Sequence, residues 1–224
     1  MFDKHTISFL QELSTNNNRD WFHANKQRYE EQVRTPALEF IELMEPAIKR
    51  VSPYLDCTAK KVGGALMRVH RDTRFGNDKT PYKTNIGIHF RHVRGKDVHS
   101  PGYYLHIEPG EVYLGAGIWK PDSPHLKAIR LLIDEHPKEW RALKKKVLGN
   151  GAFSLSGDSL KTAPRGYSPE HPAIEDLRRR DFIALMQLPP EAIHDKNFHK
   201  LIGKQIKSTA PLMKFLCDAN DLMF

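Results

Sequence analysis

Apolar side chains fall at intervals of three and four through the first fifty residues, switch to intervals of two between Val62 and Ile118, and return to helical spacing after Ser123. Helices, then strands, then mainly helices is the order of an α+β fold, here an antiparallel sheet with helices packed on one face. Phe9, Leu10 and Leu13 line one side of an opening helix that stops at the polar run Asn16-Asn17-Asn18. Asn18 is placed to cap the next helix, which carries Trp21, Phe22, Tyr29 and Val33. Pro36 is expected to divide that helix from a further stretch in which Leu38, Ile41, Met44, Ala47, Ile48 and Val51 make a packing face.

In the central region Met67 and Val69 are set opposite Arg68 and His70, and Ile86, Ile88 and Phe90 alternate with Asn85, Gly87, His89 and Arg91. The clearest unit runs from Tyr103 to Ile118, where Pro109-Gly110 is a turn dipeptide between two alternating runs. Pairing Glu108 with Glu111 brings Ile107 to Val112, Leu105 to Leu114 and Tyr103 to Ala116, all on one side, the register that a buried face selects. The other side then collects Tyr104, His106, Tyr113, Gly115 and Gly117, polar tips beside the space that two glycines leave. A type II Pro-Gly turn splays a hairpin, so a longer loop with shifted pairing is the alternative.

Ser123-Pro124 reads as a cap and first-turn proline, opening a helix with Leu126, Ile129, Leu132 and Ile133 facing inward. A second helix follows Pro137, with Trp140, Leu143, Val147 and Leu148 on its buried stripe and Lys144-Lys145-Lys146 near its end, where the helix dipole favours them. Gly149-Asn150-Gly151 ends it, and a long Ser-, Gly- and Pro-rich connection follows. Within that connection Arg165-Gly166-Tyr167 and His171-Pro172 are candidates for a lid over a binding site, a passive surface loop being the plainer alternative. Phe182, Ala184, Met186 and Leu188 alternate as a last strand, and Lys196 to Leu216 reads as a closing helix. No internal repeat or composition break appears, so residues 1–224 are expected to form one domain.

Charge narrows the partners. The formal net charge is +8, and the whole excess is local, because ten Lys or Arg between Lys60 and Lys96 face only Asp72 and Asp78. A basic surface attracts phosphates, nucleic acid or acidic lipid. Cys57 and Cys217 are far apart and spell neither a disulfide framework nor a metal motif, which makes a reducing cytoplasm the expectation. The first residues lack a secretory pattern, and no apolar run approaches the roughly 20 residues that span a bilayer, so no membrane partner is expected. No H-E-x-x-H, C-x-x-C or G-x-S-x-G occurs, and Lys60-Lys61-Val62-Gly63-Gly64 is not a Walker loop. Metal and serine-hydrolase motifs therefore lose support; cofactor and oligomeric state stay open.

The chemistry concentrates between Arg68 and Thr84. Asp72, Gly76, Asn77, Asp78 and Pro81 favour turns, which puts the segment on a loop at a sheet end. Arg68, Arg71, Arg74, Lys79 and Lys83 are candidate anion-holding groups, with Tyr82 as a phenolic donor and Asp72 and Asp78 as orienting carboxylates. So many cations held together are costly unless anions neutralise them, which favours a phosphate, polyphosphate or nucleic-acid backbone. The alternative is that Arg68 and Arg74 are tied by ion pairs to helix carboxylates. His70, His89, His92, His99 and His106 fall in the same region. If His106 faces Tyr113 across the hairpin, then His106, Tyr113 and Glu108 are the acid–base candidates.

A signature of the form R-x-x-R-D-x-R-F-x-x-x-D-K-x-x-Y is matched by Arg68, Arg71, Asp72, Arg74, Phe75, Asp78, Lys79 and Tyr82, except that two residues, Gly76 and Asn77, stand where it has three between Phe75 and Asp78. Together with Asn18-Arg19-Asp20-Trp21-Phe22 and Pro101-Gly102-Tyr103-Tyr104, it resembles an uncharacterised family of bacterial proteins with fungal relatives, a domain of unknown function. The resemblance implies a similar length and brings no activity. The expected function is binding of a phosphorylated or otherwise anionic small molecule, a nucleotide included. One alternative is a nucleic-acid-binding protein in which Phe75, Tyr82 or Tyr104 stack on bases. Another is a hydrolase or transferase using His106, Glu108 and Asp72 with a divalent ion.

Overall fold

Antiparallel pairing organises the chain. In a computed structural model that describes residues 2–74, 76–95, 99–149 and 151–224, five strands form one sheet in the order β1-β2-β3-β5-β4. Phe75, Lys96 and Asn150, all named above, lie outside the described residues. The strands are β1 (Ile86–Arg91), β2 (Gly102–Glu108), β3 (Glu111–Ile118), β4 (Ser154–Ser156) and β5 (Phe182–Leu188).

The β2–β3 hairpin has the expected register, with Glu108 opposite Glu111, Leu105 opposite Leu114 and Tyr103 opposite Ala116. Its loop is the two residues Pro109-Gly110, and Gly110 takes φ +84°, a turn position that a side chain would strain. The longer loop is not used, since the apolar pairs on the buried face fix the register.

Helices cover one face. α4 (Thr35–Val51) packs on β1, α8 (Phe198–Asp218) on β3 and α4, and α6 (Pro137–Leu148) on α8. Tyr103, Leu105, Leu114, Phe90 and Phe182 share this core with Ile41, Met44, Ile206 and Leu212. Tyr103 also donates to the Ile206 carbonyl at 3.3 Å, tying β2 to α8. Among the described residues no helix is long and apolar enough to cross a membrane.

Three local expectations are corrected. Pro36 does not divide the helix. α3 (Lys26–Tyr29) runs through a π-type turn at Glu30–Arg34 into α4 without a break. Pro36 has no N–H for the Gln32 carbonyl and its ring crowds that oxygen; the turn widens, and the buried Thr6 hydroxyl of α1 (Lys4–Thr15) donates to it at 2.7 Å. Thr6→Val is expected to lower stability by about 1 kcal/mol, read as a drop in urea midpoint at unchanged slope. The cap of α5 (Ser123–Glu135) is Asp122, which accepts from the His125 amide at 3.1 Å, rather than Ser123. Lys144 does not serve the helix dipole, because its ammonium reaches the buried Asp176 carboxylate of α7 (Ile174–Leu177) at 2.7 and 2.9 Å. Asn18 caps α2 (Arg19–Ala24) as expected, accepting from Trp21 N.

Between Val62 and Asn85 the expected strands shrink to isolated bridges, Leu66 to Ile88 and His70 to Tyr82. Turn-forming residues interrupt the ladder there. Even so, His89 N reaches Ala65 O at 2.8 Å and Met67 N reaches Gly87 O at 2.9 Å, so this segment covers the outer edge of β1. At the opposite edge β4 is three residues long.

Candidate functional site

The sheet face turned away from the helices forms the floor of a cavity of about 420 Å³. Its floor is Gly115 and Gly117, and Tyr104, Tyr113, Trp119 and His89 stand around it. A Cβ on Gly115 would meet nothing closer than Ile183 at 3.6 Å, so the absence of a side chain leaves room above the strand. Ser156 and Gly157, from the long connection, complete the rim with Met67. The loops at that rim are held by Asp181, whose buried carboxylate accepts from Lys120 N at 2.6 Å and Asp158 N at 2.9 Å.

His106, Tyr113 and Glu108 come together as the alternation implied. The His106 and Tyr113 rings stack at 4.6 Å with planes 5° apart. His106 Nε2 lies 3.2 Å from Glu108 Oε2, and its Nδ1 lies 3.1 Å from the Tyr104 hydroxyl. Thr84 donates to Glu108 Oε1 at 2.6 Å, and the Asn85 amide reaches the Tyr104 oxygen at 3.5 Å. A carboxylate, an imidazole and a phenol are thus linked in line, an arrangement able to orient a base and pass a proton. Burial holds the Tyr104 phenol above its ordinary pKa; burial, then the Glu111 and Glu108 charges, does the same to Tyr113. Glu111, opposite Glu108, brings a further carboxylate, and ligand atoms of His106, Glu108 and Glu111 lie within 4.8 Å of one another.

The basic segment divides in two. Arg74 forks onto Asp72 at 2.7 and 2.9 Å, holding that carboxyl well below its usual range. Arg71 pairs with Asp78 and donates to the Thr80 hydroxyl at 2.8 Å, while Lys79 caps the Thr73 carbonyl at 2.8 Å. Hydrogen bonds from Thr80, then Arg71, depress Asp78. Asp72 and Asp78 therefore orient arginines of their own loop and not helix partners, and Asp72 is not part of the His106 cluster. Tyr82 is buried, stacked on Phe22 at 4.0 Å, with its backbone clamped by the Asn17 amide at 2.9 and 3.1 Å.

Arg68 and Lys83 are different. Among the described residues neither side chain has a hydrogen-bond or ion-pair partner. Burial, then the neighbouring Arg68 charge, pulls the Lys83 pKa down. Lys83 and Arg71 line a second cavity of about 290 Å³ with Asp72, Thr84 and Asn85. Asn85 links this second cavity to the first through Tyr104, and Thr84 links it to Glu108.

The part of the long connection read as a lid does not close over this region. Arg165, Gly166 and Tyr167 lie against α5, and His171 pairs with Asp134 at 3.1 Å. The carboxylate on α5 holds the segment where the lid reading had it free. Met67, Trp119, Ser156, Gly157 and Ile183 escaped the sequence reading as wall residues, as they converge from separate segments. Asn85 carried a signal, its shared alternation with Gly87 and His89.

No curated protein matches the sequence. A family model described as conserved hypothetical protein, DUF2461, matches residues 5–215, and the chain belongs to that family.

Proposed function

We propose that the protein binds a small organic anion, phosphorylated or otherwise acidic and a nucleotide included. Its negative group rests at Arg68, Lys83 and Arg71, and its body lies along the glycine-floored groove. One observation carries this reading: Lys83 is partly buried beside Arg68, and among the described residues neither side chain forms an ion pair, Asp72 being engaged by Arg74. A partly buried lysine beside the exposed Arg68 guanidinium favours an anionic guest. The groove adds a concave, mainly apolar wall with a few convergent polar groups, the usual make-up of a small-molecule site. In this reading the residues that match the signature serve two ends: Arg68 and Arg71 face the guest, while Arg74, Asp72, Asp78 and Lys79 shape the loop. We take the protein to be cytoplasmic, with Cys57 and Cys217 as separate buried thiols.

The test is thermal stabilisation of the purified protein by inorganic phosphate, nucleotides, sugar phosphates and a polyanion. Stabilisation by one phosphorylated class at submillimolar concentration is the expected result. Indifference to all of them at millimolar concentration would sink the reading. Equal affinity for a mononucleotide and an oligonucleotide is expected, whereas tight, steeply salt-dependent binding of the oligomer alone identifies a nucleic-acid partner instead.

A further inference from the structure

We propose that His106, Glu108 and Glu111 form a site for a divalent transition-metal ion at the turn end of the β2–β3 hairpin. It stands apart from the anion reading and uses none of the cationic residues.

The ligand atoms are already gathered. One ring nitrogen and two carboxylate oxygens lie within 4.8 Å of one another. His106 Nε2 and Glu108 Oε2 are 3.2 Å apart, close to the roughly 3.4 Å edge of a tetrahedron whose metal–ligand bonds are about 2.0–2.2 Å. Glu111 is exposed, which leaves its side chain room to move toward the other two donors.

Charge supplies an independent reason. Glu108 and Glu111 are directly opposed across the hairpin, an arrangement that destabilises an antiparallel pair. The chain has 35 Lys and Arg, yet among the described residues none forms an ion pair with either carboxylate. Two facing acidic groups beside an imidazole, with no basic residue paired to either among the described residues, would be compensated by a cation.

The surroundings fix the donors in the manner of a metal site. His106 is 8% exposed, its ring plane is set by Tyr113, and Nδ1 faces the Tyr104 hydroxyl at 3.1 Å. Without an ion, Nε2 is placed to donate to Glu108 Oε2; metal binding takes the other tautomer, with the proton on Nδ1 toward the Tyr104 hydroxyl and the Nε2 lone pair free for the ion. Thr84 occupies Glu108 Oε1 and so turns Oε2 to the same point. One imidazole and two carboxylates suit zinc, manganese, iron or cobalt better than magnesium or calcium, which prefer all-oxygen shells. Three protein ligands leave a position for water or a guest atom, as catalytic rather than structural sites do.

The experiment is titration of the chelator-stripped full chain with zinc by calorimetry and with cobalt(II) by visible absorption. One equivalent bound at micromolar affinity, with the ligand-field bands of a low-symmetry cobalt site, is expected. Glu111→Gln, a surface change that leaves the fold intact, should weaken binding at least about tenfold. Glu175→Gln, on a distant exposed carboxylate, should leave it unchanged. Absence of saturable uptake at submillimolar metal, or an unaltered affinity in Glu111→Gln, overturns the proposal and leaves the anion reading standing.

Discussion

Gly117→Ala is expected to destabilise the protein by about 3 kcal/mol, lowering the melting temperature by roughly 6–12 °C. Gly117 has φ +148°, and a Cβ there would lie 1.9 Å from the Phe182 carbonyl oxygen and 2.9 Å from the Ile183 Cα. Both obstacles are backbone of β5, so no rotamer change relieves the clash and the β3–β5 pairing itself has to yield. Two other glycines separate the causes. Gly110→Ala meets no atom within 4 Å and carries only the backbone strain of φ +84°, about 1–2 kcal/mol. Gly115→Ala meets Ile183 at an ordinary 3.6 Å, so the fold should tolerate it while the floor of the cavity rises. Thermal melts of the three variants check the order; a Gly117→Ala protein as stable as Gly115→Ala contradicts the strand geometry.

Lys83→Met is expected to abolish anion-induced stabilisation, with affinity falling at least tenfold, about 1.4 kcal/mol, while the unliganded protein melts no lower than its parent. The opposite signs follow from one cause. Lys83 has its pKa drawn below the ordinary 10.5 by burial, then by Arg68, so its charged form opposes folding and favours an anion. For a lysine depressed in the native state, the unfolded chain holds more protons over the interval between the two pKa values. Stability therefore gains a small increment as pH rises from the depressed value toward 10.5, and anion affinity declines over that same interval. Both trends should vanish in Lys83→Met. Melting curves at stepped pH, with and without phosphate, decide the matter; a variant that keeps the parental anion response removes Lys83 from the site.

Much of this was legible in the chain because the signals were local. Apolar alternation on both sides of Pro109-Gly110 determined the hairpin register, and with it the meeting of His106, Tyr113 and Glu108. The pairing even set Glu111 against Glu108, though the divalent-ion alternative drawn from the sequence named Asp72 with His106 and Glu108, and not Glu111. The remainder depended on distance along the chain. Pro36 marks a helix break by any local rule, yet the helix passes through a π-type turn whose Gln32 carbonyl is taken up by Thr6, 26 residues before Gln32 in sequence. The groove walls come from segments around 67, 119, 156 and 183, whose convergence no spacing encodes. The arginine loop shows the reverse: Asp72 and Asp78 engage partners within a few residues, so a dense cationic motif proved partly self-neutralised.

The two margins of the sheet bear on how the protein behaves when crowded. On one side the 65–67 backbone already consumes hydrogen-bonding groups of β1, and on the other β4 offers only a three-residue ledge. Neither margin gives a second chain a long template for strand addition. Fibrillar growth through this sheet is thereby disfavoured, and self-association of the native protein would have to use its faces.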